Sequence, residues 1–543
     1  MQHETDSGTI PAVDEPRESR PASDRRQLVR TLVGLAPVAA ATALGAQPAA
    51  AVPAPRPGKT APTSAPTWVP DDTPEAWHLA RRFCGAPTAA IVAEIRALGT
   101  MRWFERQLRP HEIDDARMDA IAAGPLGLAG MAAPEIAARY DGATWMAADH
   151  ALKLLMVRPV LSNRHVLDST CEVLGDHLYI PIRGKANSFS AQHELTIRQH
   201  AFGKYADLLQ AVLTQPAMLV HLDNHASTKE APNENLGREL LELFTVGVGH
   251  YTETDVHQST LLLTGQSYDW EARTYRYRPT HHHVGPLRIM GFNHPNPTAE
   301  SGPEALQAYL AYLARHPATA RRLARKFAIR FVSDTPSDTL IEAMANAYLA
   351  ADTAIPPMLR ALVNASEFWS SVGKKWRRPM ELINTIIRAG EPQQFVPQAA
   401  ELWRYTDMGD QGRILASVGH APRHWHHVDG YPDAVGAWKS AQTMLGLWNA
   451  THEVCTENLN EFGRLDWERA LGVRPLDPIL ASVRRIAVQL TGWEWTSRDI
   501  AAVASALRPG ATISARDTFD RAALAELPHC VRLIFASPYA FRR

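Results

Sequence analysis

The densest run of chemistry-bearing residues is Asp223-Asn224-His225 followed, after Pro232, by Asn233-Glu234-Asn235-Leu236-Gly237-Arg238-Glu239-Leu240-Leu241-Glu242-Leu243-Phe244. Asn233 is a good N-cap for a helix. At about 100° per residue, Leu236, Leu240 and Leu243 share one face, and Asn235, Arg238, Glu239 and Glu242 form the opposite stripe. Carboxylates at this spacing suit acid–base work or a hard cation; Arg238 suits an anionic substrate. The plainer alternative is a solvated face, where the Glu234/Arg238/Glu242 ladder makes ion pairs of about 0.3–0.5 kcal/mol each. Two features argue for more. Repeated Asn near a helix start is poor helix chemistry unless the amides bond something. The flanks, Ala217–Val220 and Val246–Val248, are also apolar, so the stripe is either a buried network or a site.

Histidine is the second signal, with 23 in the chain. His281-His282-His283 with His294 is one cluster; His424, His426 and His427 form another. Such clusters bind transition metals or are polar loops. Adjacent residues on a strand face opposite ways, so three in a row rarely share one ion. A mixed set is more persuasive, and His177, His200 and His282 with Asp176 or Glu239 supply its members. The candidate metal ligands are therefore His177, His282 and Asp176, for a divalent ion. Cys171 near His177 is a lone cysteine on an apolar segment, which reads as core. There is no G-x-S-x-G, Walker loop, G-x-G-x-x-G or H-E-x-x-H. The four cysteines form no C-x-x-C pair and no c-type haem motif; non-covalent haem stays open.

These residues need a scaffold. Over 543 residues, 45% are hydrophobic and 21% charged, as in an ordinary globular protein. A net charge of −1 gives no global electrostatic reason to bind nucleic acid or anionic lipid. Apolar spacing predicts helices from Glu75 onward, over 89–108, 190–225, 232–248, 252–264, 303–315, 317–332, 337–351, 355–370 and 378–389. Thr252-Glu253-Thr254-Asp255 is a capping-box variant for one of them. The best strand is Thr274–Arg278. The fold class is mainly α: a large multi-helix globular body with few short strands.

The N-terminus reads as an address. Arg25-Arg26 precede an uncharged, Ala-rich stretch, Thr31–Ala51, which ends in Ala49-Ala50-Ala51. This is the pattern of a twin-arginine signal over 1–51, with a single membrane anchor as the alternative. Residues 52–74 form a Pro/Ala-rich linker, and 75–543 the helical body, either whole or as a core to about 450 with a helical extension. Cleavage leaves no stable transmembrane segment and a periplasmic or secreted protein.

Several segments carry a family resemblance. They are His78–Gly85, Ile197–Gly203, Asp207–Leu209, Pro216–Leu219, Asn233–Phe244, Thr245–Thr252, Leu263–Gly265, Ala320–Phe327, Arg330–Ser333, Ser366–Trp369, Arg378-Pro379 and Gly430–Pro432. In this order they resemble the bacterial family called "domain of unknown function 1800". The resemblance implies an exported, mostly helical protein. It also implies, as partner, an exported protein of the "domain of unknown function 1501" family, itself similar to alkaline phosphatases and sulfatases. The chain departs from the family pattern twice. Leu174-Gly175-Asp176-His177-Leu178 stands for Trp-x-Asn-His-Phe, keeping His177. His282-His283-Val284-Gly285-Pro286-Leu287 stands for His-Asp-x-Gly-x-Lys, lacking the Asp and the Lys.

The first expectation is an envelope or extracellular enzyme acting on a glycan or other polymer. Arg198, His200, Asn233, Asn235, Arg238, Asp223 and Asn224 would hold substrate. Glu234, Glu239 or Glu242 would serve as acid/base or metal ligand, helped by His177 and His282. The alternatives are a non-catalytic assembly partner of a phosphatase-like exported protein, and a metal or haem oxidoreductase.

Overall fold

The computed structural model describes residues 74–140, 144–397 and 409–543, which fall in one compact unit, Ala65–Arg543. The expected signal sequence and nearly all of the linker lie outside the described residues. Helices dominate, as the apolar spacing predicts. Three two-stranded antiparallel sheets are present among the described residues, one of them pairing Gln266–Asp269 with the expected strand, Thr274–Tyr277. No helix among the described residues is long and apolar enough to cross a membrane.

Seven helices carry the polar residues of interest. They are Trp145–Leu161 (α1), His165–His177 (α2), Asn187–His200 (α3), Glu234–Glu239 (α4), Glu253–Leu263 (α5), Pro317–Phe331 (α6) and Pro379–Ala389 (α7). The stretch 190–225, expected as one helix, is three: α3, Tyr205–Leu213 and Pro216–His221. The first break follows from a tertiary bond, since the Tyr205 amide donates to Thr353 O at 2.9 Å instead of continuing the helix. The second follows from Pro216, which starts a helix but cannot continue one.

The stretch 232–248 also differs from expectation. After α4 the chain winds into one π-helical turn, Leu240–Phe244, and leaves the helix. The extra residue in that turn rotates the apolar face, so Leu241 and Phe244 are buried while Leu243 is only half-buried. The Thr252 capping box is present: Thr252 Oγ1 accepts from the Asp255 amide at 3.3 Å, and Asp255 Oδ2 accepts from the Thr252 amide at 2.8 Å.

The apolar faces build two cores. Leu174, Leu236, Leu240, Phe244, Phe327 and Phe331 belong to one; Leu152, Val157, Ile383, Ile386, Leu447 and Ile486 belong to the other. Helix α1 thus serves one core and the next helix, α2, serves the other. Gly237 lets α4 approach α5, because a Cβ there would lie 2.5 Å from Thr260 Oγ1 and 3.0 Å from the Thr260 backbone nitrogen. Gly237→Ala should therefore destabilise by about 1–3 kcal/mol, as overpacking does. A shift of the urea midpoint at unchanged slope is the measurement.

Candidate functional site

Much of the polar stripe on α4 serves structure. Glu234 and Asn235 are exposed. Arg238 pairs with Glu253 on α5 at 2.8 Å and with Glu234 at 3.3 Å. Asn233 caps the helix by accepting from the Asn235 amide at 2.9 Å. Asp223, at a left-handed φ of 58°, pairs with Lys185 at 2.5 Å. Buried Asn224 donates to Leu263 O at 3.0 Å, tying its loop to the end of α5. Arg198 pairs with Asp168 at 2.5 Å, and His200 is half-buried at the end of α3. His282 is buried, with its ring nitrogens 2.9 Å from Thr264 O and 3.0 Å from Asn296 Oδ1. Among the described residues no group of three His, Cys, Asp or Glu side chains is gathered to hold a metal ion. His177, His282 and Asp176 are therefore not brought together as a ligand set, nor are the two histidine clusters.

Glu239 is different. It is half-buried and makes no hydrogen bond or ion pair among the described residues. Burial, then the neighbouring Glu242, push its carboxyl up to about 7; Arg238 opposes them and Asp429 adds to them. Glu242 accepts a hydrogen bond from the Tyr251 hydroxyl at 2.8 Å. On α6, half-buried Lys326 also lacks a hydrogen bond or ion pair among the described residues. Burial, then Arg322, push its amine down to about 8, against the attraction of Asp176 and Asp429. Asp429 is exposed and acts on both groups. It is placed by Gly430, whose φ of 75° and missing Cβ let the loop rest on α2; a Cβ there would lie 2.2 Å from Asp176 O.

The π turn supplies Glu242 to this cluster. His177 Nε2 lies 3.0 Å from the Tyr205 hydroxyl and 3.1 Å from Phe244 O, and Tyr205 donates to the same carbonyl at 2.5 Å. Arg322 Nε donates to Leu243 O at 3.1 Å. Burial, then Lys326 and Arg322, hold His177 well below the usual imidazole range. It is a neutral ring that anchors the turn that carries Glu242 and directly follows Glu239. The arrangement can hold a protonated carboxyl under the influence of two other carboxylates, one of which, Asp429, also acts on the Lys326 amine, and groups tuned in this way are the equipment for proton transfer. The sequence pointed to Glu239, Glu242 and His177. It missed Lys326, Asp429, Tyr251 and Arg322, although all but Arg322 and Lys326, which share one family segment, lie in or beside different ones.

A second polar assembly joins the two cores. Asp168, Glu172 and Asp176 follow one another at i, i+4 and i+8 along α2. Glu172 pairs with Arg330 at 2.8 Å and with Arg378; Asp176 pairs with Arg423 at 2.8 Å and Arg378 at 3.6 Å. Arg423 reaches Glu194 on α3 at 2.7 Å. Further in, Glu381 on α7 meets Arg330 and Arg543, and Asp433 meets Arg543 at 3.2 Å and Lys375 at 3.3 Å. Burial works against ionising Glu381, but Arg330, Arg543 and Arg378 outweigh it and hold the carboxyl at about 2. Asp176 thus sits in an ion-paired seam. Burial also pushes the Cys171 thiol up to about 11, in keeping with a core cysteine.

No curated protein and no solved structure matches the chain. The family described as "Protein of unknown function (DUF1800)" matches residues 78–542, a span that includes both polar assemblies, and the chain belongs to that family.

Proposed function

We propose that this chain is an exported enzyme that cleaves a glycan or related polymer of the envelope by proton transfer at Glu239. The observation that carries the proposal is that one exposed carboxylate, Asp429, acts both on Glu239, whose carboxyl is pushed up to about 7, and on Lys326, whose amine is pushed down to about 8. Groups so tuned hold both protonation states near neutral pH. The exposure of Asp429, His426 and His427 supports access for an extended substrate rather than a sealed pocket. In the proposed step, protonated Glu239 gives its proton to the departing glycosidic oxygen. Asp429 takes a proton from water, whose oxygen bonds to the anomeric carbon as the old C–O bond breaks. Lys326 steadies the carboxylates. Export through the twin-arginine route is part of the proposal and rests on Arg25-Arg26 and Ala49–Ala51.

The test is release of reducing ends from peptidoglycan sacculi, chitin and xylan by the full chain. At least one substrate should be cleaved, and Glu239→Gln and Asp429→Asn should each lose about a hundredfold or more of the rate. A wild-type protein inert on all three would overturn the glycan reading. It would favour the assembly role beside a phosphatase-like exported protein, which a pull-down would then address.

A further inference from the structure

Helices α1, α2 and α3 enclose a cavity of about 180 Å³ on the side of α2 that carries Asp168, Glu172 and Asp176. Its apolar wall comes from Ala151, Leu154 and Leu155 on α1, Ala191 and Leu195 on α3, and Met380. Its polar wall holds four carboxylates and three arginines. Each carboxylate has a guanidinium partner: Asp168 has Arg198, Glu172 has Arg330 and Arg378, and Asp176 and Glu194 share Arg423. Arg158 is the odd one. It lines the cavity, and no hydrogen bond or ion pair among the described residues fixes its guanidinium. Burial, then the nearby Arg198, pull it down to about 10; Asp168 and Glu194 act against that shift at a distance and do not cancel it.

We infer that this cavity binds a small monocarboxylate with an apolar body, its head on Arg158 and its body along Leu154, Leu155 and Leu195. The inference stands independently of the proton-transfer reading, because it uses none of Glu239, Lys326 or Asp429. A guanidinium fork matches a carboxylate in two parallel hydrogen bonds. A single negative charge is what the surroundings tolerate, since a phosphate dianion would meet four carboxylates around the same space. The volume sets the size: a cavity of about 150 Å³ accepts benzene, so this one suits a body of about six carbons.

The experiment is calorimetric titration of the full chain with benzoate and hexanoate, beside benzamide and inorganic phosphate. Benzoate should bind one per chain, at least tenfold tighter than benzamide, with phosphate neither binding nor competing. Arg158→Leu should lose at least tenfold in benzoate affinity, and Arg158→Lys should recover part of it. Because Arg158→Leu removes a half-buried cation that no hydrogen bond or ion pair among the described residues fixes, its ligand-free melting temperature should equal or exceed that of the wild type. Failure of wild-type protein to bind either carboxylate at millimolar concentration would overturn the inference. So would equal affinity for benzoate and benzamide, preference for phosphate, or benzoate binding unchanged in Arg158→Leu. The amide comparison needs no variant, so the inference stays testable whatever the variants do.

Discussion

Glu381→Ala should lower the unfolding free energy by about 3–5 kcal/mol, the usual loss when one partner of a buried ion network is removed. Glu381 is 3% exposed. It contacts Arg330 and Arg543, and Arg378 lies 3.9 Å away. Deleting the carboxylate leaves these guanidinium groups facing one another with Asp433 and Glu172 as the remaining anions. Glu381 also accepts from the Arg378 amide at 2.9 Å, capping α7, so a helix end loses its partner as well. The dependence on acid has a definite sign. The folded carboxyl, at about 2, lies below the ordinary glutamate value of about 4.3. The stability it contributes is therefore complete above about pH 4.3 and is lost as pH falls toward 2. Asp433 is held down in the same way, with Arg378, Arg330, Lys375 and Arg543 outweighing burial. Urea midpoints at pH 7, 4 and 3 should show the wild type losing stability steeply across that window and Glu381→Ala losing less. A cost under about 1 kcal/mol at pH 7 would mean that water reaches the network and that these are surface-strength pairs.

The same network shows where sequence reasoning stops. The helical class was legible because apolar residues recur at helical spacing through most of the chain. The Thr252 capping box was legible because all its atoms lie within four residues. The π turn was not, since Leu240–Phe244 suits an α-helix equally well. What fixes the turn is distant: His177 and Tyr205 on the Phe244 carbonyl, and Arg322 on the Leu243 carbonyl. Asp168, Glu172 and Asp176 are visible as an i, i+4, i+8 stripe on paper. Yet nothing in the sequence says that Arg330, Arg378 and Arg423 will cover it, so it reads like any solvated face. Glu239 was legible as one of three acids along 234–242. Its distinction from Glu234 was not, because Glu234 stays in solvent beside Arg238 while Glu239 is half-buried and Asp429 acts on it from a distant part of the chain. The family segments do better than periodicity here, since Ala320–Phe327 holds Lys326 and Gly430–Pro432 follows Asp429. They mark positions without saying which groups meet.

Glu239→Gln should remove about a hundredfold to ten-thousandfold of the turnover, the range for a lost general acid, while leaving the fold as stable or more so. The stability half follows from the direction of the shift. The folded carboxyl titrates at about 7, above its ordinary value of about 4.3. Folding therefore favours the protonated form, and the wild type should lose stability as pH rises from about 4.3 through 7. The loss should be about 1–2 kcal/mol after allowing for partial exposure. Glutamine has no such titration, so the variant's melting temperature should be flatter over this range and higher than wild type at pH 8. Lys326 works the other way. Its amine titrates at about 8, below the ordinary 10.4, so the wild type should lose stability as pH falls from about 10.4 through 8, and Lys326→Met should remove that slope. Wild-type turnover should fall above about pH 7 as Glu239 loses its proton. If Glu239→Gln instead lowered stability by several kcal/mol, the carboxyl would be a structural hydrogen-bonding group. Loss of activity alone cannot separate these roles, because an unfolding variant is also inactive. Opposite signs in the two measurements can, since only a strained acid kept for its chemistry costs the fold stability while supplying the rate.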